Sequence, residues 1–225
     1  MPGQEETAIR PERQPAGSWR PSAVVMVLLL LNCGIEMILL AADNGLIGTT
    51  RWRSQAYQYG AFWTGLLDNW RPNYPAQPWL MFVTYQVLHA SLTHLLGNML
   101  ILLLVGRILV QRVGQLWFAV FYLVSGIGGG LGFALLASSA QPMVGASGAL
   151  FGLVGAWKWQ DWFINSQQGS SRRALILDVV GLIVLNALFW AIQDGQLAWE
   201  AHLGGFLTGW LIATLVLPRH LPGRS

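Results

Sequence analysis

The sequence predicts an all-α integral membrane protein, a bundle of six transmembrane helices with a long interfacial loop between the first two spans. Three observations lead there. Of 225 residues, 54% are hydrophobic and only 10% are charged, where an ordinary soluble domain carries about 25% charged residues. Six apolar runs approach the length of about 20 residues that a helix needs to cross a hydrocarbon core about 30 Å thick. Glycines recur in the later runs at helical spacing, the pattern that lets helices approach closely in lipid. The first observation excludes a water-soluble globular fold.

Lipid offers no partner for backbone polar groups, so each run has to close its hydrogen bonds internally as a helix. The first span is predicted from Ser22 to Ala42, opened by Pro21 and closed by the turn signal Asp43-Asn44-Gly45. A connection over 43–90 follows, too long for a simple link. It carries Trp52, Trp63, Trp70, Trp79, Phe62, Tyr57, Tyr59 and Tyr74. Aromatic rings with one polar end favour the headgroup region, which places this loop in the interface; a small soluble domain is the other reading. The second span is predicted from Ser91 to Val110, the third from Leu116 to Ala137, and the fourth from Ser147 to Phe163. The fifth runs from Ala174 to Ile192 and the sixth from Ala201 to Leu217. One domain over 22–217 is expected, between a polar tail at 1–21 and a short tail at 218–225. Glu5, Glu6 and Glu12 stand among the arginines of the first tail. It therefore reads as neither a signal peptide nor an acid-poor transit peptide, and the first span is expected to be retained.

Six spans put both tails on one side, and the basic residues say which. Of 13 Lys and Arg, only Arg51, Arg53 and Arg71 fall on the opposite side. The bias predicts cytoplasmic termini in a cell membrane. The net charge of +3 is spread among hydrophobic spans, so it belongs to topology and no nucleic acid is expected. A single cysteine, Cys33, inside an apolar run can build neither an intrachain disulfide nor a thiolate metal cage.

Polar groups inside spans are costly and mark candidate sites. His94 and Asn98 are four residues apart in the second span, so both project from one helical face. They are either glue between helices or two donors aimed at one point. The fourth span opens Val144-Gly145-Ala146-Ser147-Gly148-Ala149-Leu150-Phe151-Gly152. That puts Ser147 at a helix N-terminus, where free N–H groups favour developing negative charge. Alone, it reads first as a Ser cap before a packing helix. The sixth span places His202, Gly205 and Gly209 on one face. A serine and a histidine on two glycine-striped helices at similar depth can come within hydrogen-bonding reach, and an imidazole can then take the hydroxyl proton.

Three segments together resemble the rhomboid family of intramembrane serine proteases. They are His89-Ala-Ser-Leu-Thr-His94-Leu-Leu-Gly-Asn98, Gly145-Ala-Ser147-Gly148, and Ala201-His202-Leu-Gly-Gly205-Phe-Leu-Thr-Gly209. The resemblance extends over the six-span layout. It implies Ser147 as nucleophile and His202 as general base, without a third carboxylate. His94 and Asn98 are implied as oxyanion donors with the Ser147 N–H, Phe151 as an aromatic neighbour of the histidine, Gly148 and Gly205 as close-packing positions, and His89 as a support of the first loop. Substrates would be membrane proteins with a transmembrane segment that can unwind, since a regular helix hides its carbonyls. No metal or organic cofactor is implied. The chain departs from the family pattern at Leu80 and Met81, where many members carry Trp-Arg.

Other classes fit less well. A zinc protease would want His-Glu-x-x-His on a helix, and an aspartyl type two intramembrane aspartates, where Asp178 stands alone. A client-binding relative would lack the serine or the histidine. A transporter would be expected to show an inverted repeat.

Overall fold

The computed structural model describes residues 21–138, 140–167, 173–192 and 197–216. Apart from Pro21, the two polar tails expected at 1–21 and 218–225, with His220 in the second, lie outside them. The described chain is all-helical. Its helices are α1 Ala23–Asp43, α2 Trp52–Gly60, α3 Gln77–Thr84, α4 Leu92–Leu136, α5 Ser147–Gln167, α6 Arg173–Ile192 and α7 Trp199–Val216, with single 3-10 turns at Thr64–Leu67 and Tyr85–Val87. No β-strand occurs among the described residues; one isolated bridge joins Phe62 to Met143.

Helix boundaries follow the sequence signals. Asn44 ends α1 with its side-chain amide donating to the Leu40 carbonyl at 2.8 Å. Pro78 sits in the first turn of α3, where its missing N–H costs nothing. Ser91 caps α4, its hydroxyl accepting from the His94 N–H at 3.2 Å. The expected second and third spans are two helices, grouped here as the two arms of α4, that meet across a kink at Gly114, with φ of 78°, a conformation glycine adopts without penalty. Among the described residues, α1 and α4 are long and apolar enough to cross a membrane.

The polarity of this bundle is inverted relative to a soluble protein. Leu30, Leu100, Leu104, Ile183, Val184 and Leu211 lie on the outside, while Asn32, Glu36, Gln86, His89, Asn98 and His202 are buried. A soluble monomer does not leave so much apolar surface uncovered. The interior is built around Leu102, Phe118 and Phe121 of α4 and Leu150 and Leu153 of α5, with Val25 and Ala213 closing its edges.

In lipid, leucine against leucine gains little over leucine against an acyl chain, so cohesion rests on close backbone approach. Helix α7 makes that approach on two sides. A Cβ at Gly204 would collide with the Gly128 carbonyl oxygen of α4, and one at Gly205 or Gly209 with the carbonyl oxygen of Gly148 or Gly152 of α5. Helices α4, α5 and α7 thus form the tight centre, α1 flanks α4, and, among the described residues, α6 touches α5 at few points.

The connection between α1 and α4 is folded rather than trailing. Arg53 of α2 donates to Glu36 of α1 through Nη1 at 3.1 Å and Nη2 at 2.9 Å, to Asp43 at 2.6 Å, and to the His89 carbonyl oxygen at 3.0 Å. Burial acts to discharge Arg53, but its hydrogen bonds to Glu36 and Asp43 outweigh that and hold its pKa above the ordinary arginine range. Tyr57 adds a 2.7 Å hydrogen bond to the same His89 carbonyl. Further along, Phe62 meets Phe82 and Tyr85 edge-on at 4.8 and 5.9 Å. It also exchanges two 2.9 Å backbone hydrogen bonds with Met143. The connection therefore lies against the segment that leads into Ser147.

Candidate active site

The short segment before α5 sets the position of Ser147. The Gly145 N–H donates to the Tyr85 carbonyl oxygen at 3.0 Å, and Gly145 has φ of 129°, a backbone state that side chains oppose. The Tyr85 hydroxyl donates to the Gly126 carbonyl at 2.7 Å and would lie 2.9 Å from a Cβ at Gly148. Held from both sides, the chain turns into helix at Ser147, the first residue of α5. The N–H groups of a first helical turn have no intrahelical acceptor, so this end of α5 favours negative charge.

Fifty-five residues later in the sequence, His202 meets that serine. Its Nε2 is 2.8 Å from the Ser147 Oγ, a distance made possible by the bare contact of Gly205, three residues after His202, with Gly148, the residue after Ser147. The opposite ring nitrogen, Nδ1, is 2.8 Å from the Asn186 Oδ1 of α6. Phe151, one turn after Ser147, stacks flat on the imidazole with centroids 4.1 Å apart and planes 6° from parallel. His202 is buried. Beside it, between α6 and α7, lies a mostly apolar cavity of about 570 Å³ that Phe151, Asn186 and His202 help to line.

His94 and Asn98 reach the other side of the same segment. A Cβ at Gly145 would stand 2.7 Å from the His94 Cε1 and 3.6 Å from the Asn98 Nδ2. Both side chains thus converge on the backbone two residues before Ser147. The Asn98 amide nitrogen is buried without a hydrogen-bond partner among the described residues. A buried donor left open is costly unless something fills it. His89 is also buried, its ring edge-on to His94 at 5.2 Å. Neither of its ring nitrogens has a hydrogen-bond partner among the described residues, and its carbonyl oxygen is the atom that ties down the loop.

The family model for the Rhomboid domain matches residues 76–219, a stretch that includes every residue of this constellation. The chain belongs to the rhomboid family. Rhomboid proteins are membrane proteins, which accounts for the inverted polarity. Among the similar proteins, RHOMBOID-like protein 5 of Arabidopsis thaliana is 36% identical over 136 residues, covering 59% of this chain and 42% of that protein. RHOMBOID-like protein 1 of the same plant is 35% identical over 155 residues, 69% and 39% of the two chains. Rhomboid protease GluP of Bacillus subtilis (strain 168) is 31% identical over 142 residues, 63% and 27% of the two. This rhomboid chain spans less than half the length of each of these relatives.

Two features of the rhomboid site were not anticipated from sequence. Asn186 is a lone polar residue within the apolar run Leu185-Asn186-Ala187, and the rule that singled out His94 and Asn98 would have singled it out too. The Arg53–Glu36 pair was hidden because its members lie 17 residues apart across a turn. Here that pair anchors the loop of a chain lacking Trp-Arg at Leu80 and Met81.

Proposed function

We propose that this rhomboid protein is an intramembrane serine endopeptidase that hydrolyses peptide bonds in or near transmembrane segments of membrane-protein substrates. The observation that carries the reading is the 2.8 Å contact between the Ser147 Oγ and the His202 Nε2, in a buried setting beside a helix N-terminus. As substrate carbonyl carbon approaches, the Ser147 oxygen forms the new C–O bond while its proton passes to Nε2. The carbonyl oxygen becomes an oxyanion, for which the Ser147 N–H, Asn98 and His94 are the donors. Collapse breaks the C–N bond, and the His202 proton leaves on the amine. Water then attacks the acyl-serine, giving its proton to His202, and the serine recovers its hydrogen as the carboxylic acid departs.

The layout proposed with this activity has six spans: α1, the two arms of α4, α5, α6 and α7. The connection between α1 and α4 lies at the outer interface, and the termini are cytoplasmic. Gly148 and Gly205 let α5 and α7 close on each other, Phe151 holds the imidazole plane, and His89 supports the loop. The protein is placed in the cell membrane, with bilayer lipid and membrane-protein substrates that carry a transmembrane segment as its partners. The direct test is labelling of purified protein by a fluorophosphonate. Labelling should map to Ser147, vanish in Ser147→Ala and persist in Cys33→Ala. Equal labelling of Ser147→Ala would remove the proposed nucleophile.

A further inference from the structure

An imidazole that is to accept a proton at Nε2 must carry its own hydrogen on Nδ1, and something has to hold it in that tautomer. In Ser-His-Asp enzymes a carboxylate does so. The atom facing the His202 Nδ1 is the Asn186 Oδ1 at 2.8 Å. A carbonyl oxygen only accepts, so Nδ1 must be the donor, and in a neutral ring Nε2 is then free to accept from the Ser147 hydroxyl. Phe151 fixes the plane of the ring, but stacking leaves rotation within that plane open. The amide closes that freedom.

We propose that Asn186 is a positioning residue of the Ser147–His202 pair, holding the histidine in its Nδ1–H tautomer. It does so from α6, at the cavity that His202 and Phe151 also line. The inference rests on the proposed protease reading and adds the residue that makes its base usable.

The test compares Asn186→Leu, which keeps the size and removes the acceptor, with Asn186→Asp, which keeps an acceptor oxygen at the same reach. Fluorophosphonate labelling of Ser147 reports the base without needing a transmembrane substrate. Asn186→Leu should label about 100-fold more slowly, as for a misplaced catalytic group, with kcat on a model substrate falling alongside and KM little changed. Asn186→Asp should recover most of that loss. Independently, 15N-histidine NMR of the Ser147→Ala protein should show Nδ1 of His202 protonated, and addition of Asn186→Leu should abolish that signature. Wild-type labelling rates in Asn186→Leu, equal impairment in the Asp variant, or an unprotonated Nδ1 would each overturn the assignment. Absence of wild-type labelling at Ser147 would instead overturn the protease reading, leaving the NMR result to judge Asn186 by itself.

Discussion

Gly205 of α7 rests on the carbonyl oxygen of Gly148 of α5, and no Cβ could be placed between them. The contact is local to the pair Ser147 and His202, so it sets how far apart the two side chains stand. Gly205→Val should push α7 away and lower cleavage of a model transmembrane substrate by about 100-fold or more, the scale expected for a displacement of about 1 Å. Gly97→Ala, where an added Cβ meets nothing within 4 Å, should leave the rate unchanged. A stable, fully active Gly205→Val protein would show that the helix contact does not set the geometry.

The proposed roles at the site differ in what alanine should do. Ser147→Ala and His202→Ala should leave no measurable turnover. Asn98→Ala removes one of several oxyanion donors, a loss of about 2.7 to 4 kcal/mol, or about 100- to 1,000-fold in rate. It should therefore be slow but active, with His94→Ala equal or slower. Rates per folded protein on one purified substrate distinguish these outcomes. Wild-type speed in Asn98→Ala would return the His94–Asn98 pair to a packing role.

His89 gives the fold an acid limit. Burial, with a smaller contribution from the neighbouring His94, lowers its pKa from 6.5 to about 3. The unfolded chain takes up a proton as pH falls below 6.5 while the folded chain does not, so stability is lost between pH 6.5 and about 3. The slope is about 1.4 kcal/mol per pH unit from this one group. Urea or thermal unfolding in detergent at pH 7.5 and 5.5 should show the loss, and His89→Gln should flatten it. An unchanged slope in that variant would assign the acid sensitivity elsewhere.

Orientation can be read with single cysteines in a Cys33→Ala background. Asn69 in the α1–α4 connection and Gln111 next to the α4 break are both exposed. An impermeant thiol reagent applied to intact cells should label Asn69→Cys and spare Gln111→Cys. The opposite pattern would turn the protein over and move the site to the cytoplasmic face.

The parts legible in the sequence are those carried by local pattern. Runs such as 22–42 and 174–192 emerge as α1 and α6 within a residue or two, because length and apolarity alone decide a helix in lipid. Ser147 and His202 were legible because glycines flank both at helical spacing, and the structure brings their side chains together. The break at Gly114 was legible, since it falls between the expected second and third spans, but its form, a kink with no intervening loop, was not. Nor could α2 and α3 be drawn from the aromatic connection. Their places depend on Arg53 reaching Glu36 and on Phe62 pairing with Met143, contacts between distant positions that no period encodes.

A protein that admits water among membrane-spanning helices runs the risk of becoming a leak. In this bundle the side chains further along from Ser147 are Leu150 and Leu153, which meet Leu102, Phe118 and Phe121 with no exposed surface at all. Polar side chains do stand at the glycine contacts, Ser125 of α4 over Gly152 of α5 and Thr208 of α7 over Gly128 of α4, each packed directly on a glycine. Packing of this kind fills the interior past Ser147, so the close contact that aligns the two side chains also limits the room for water beyond them.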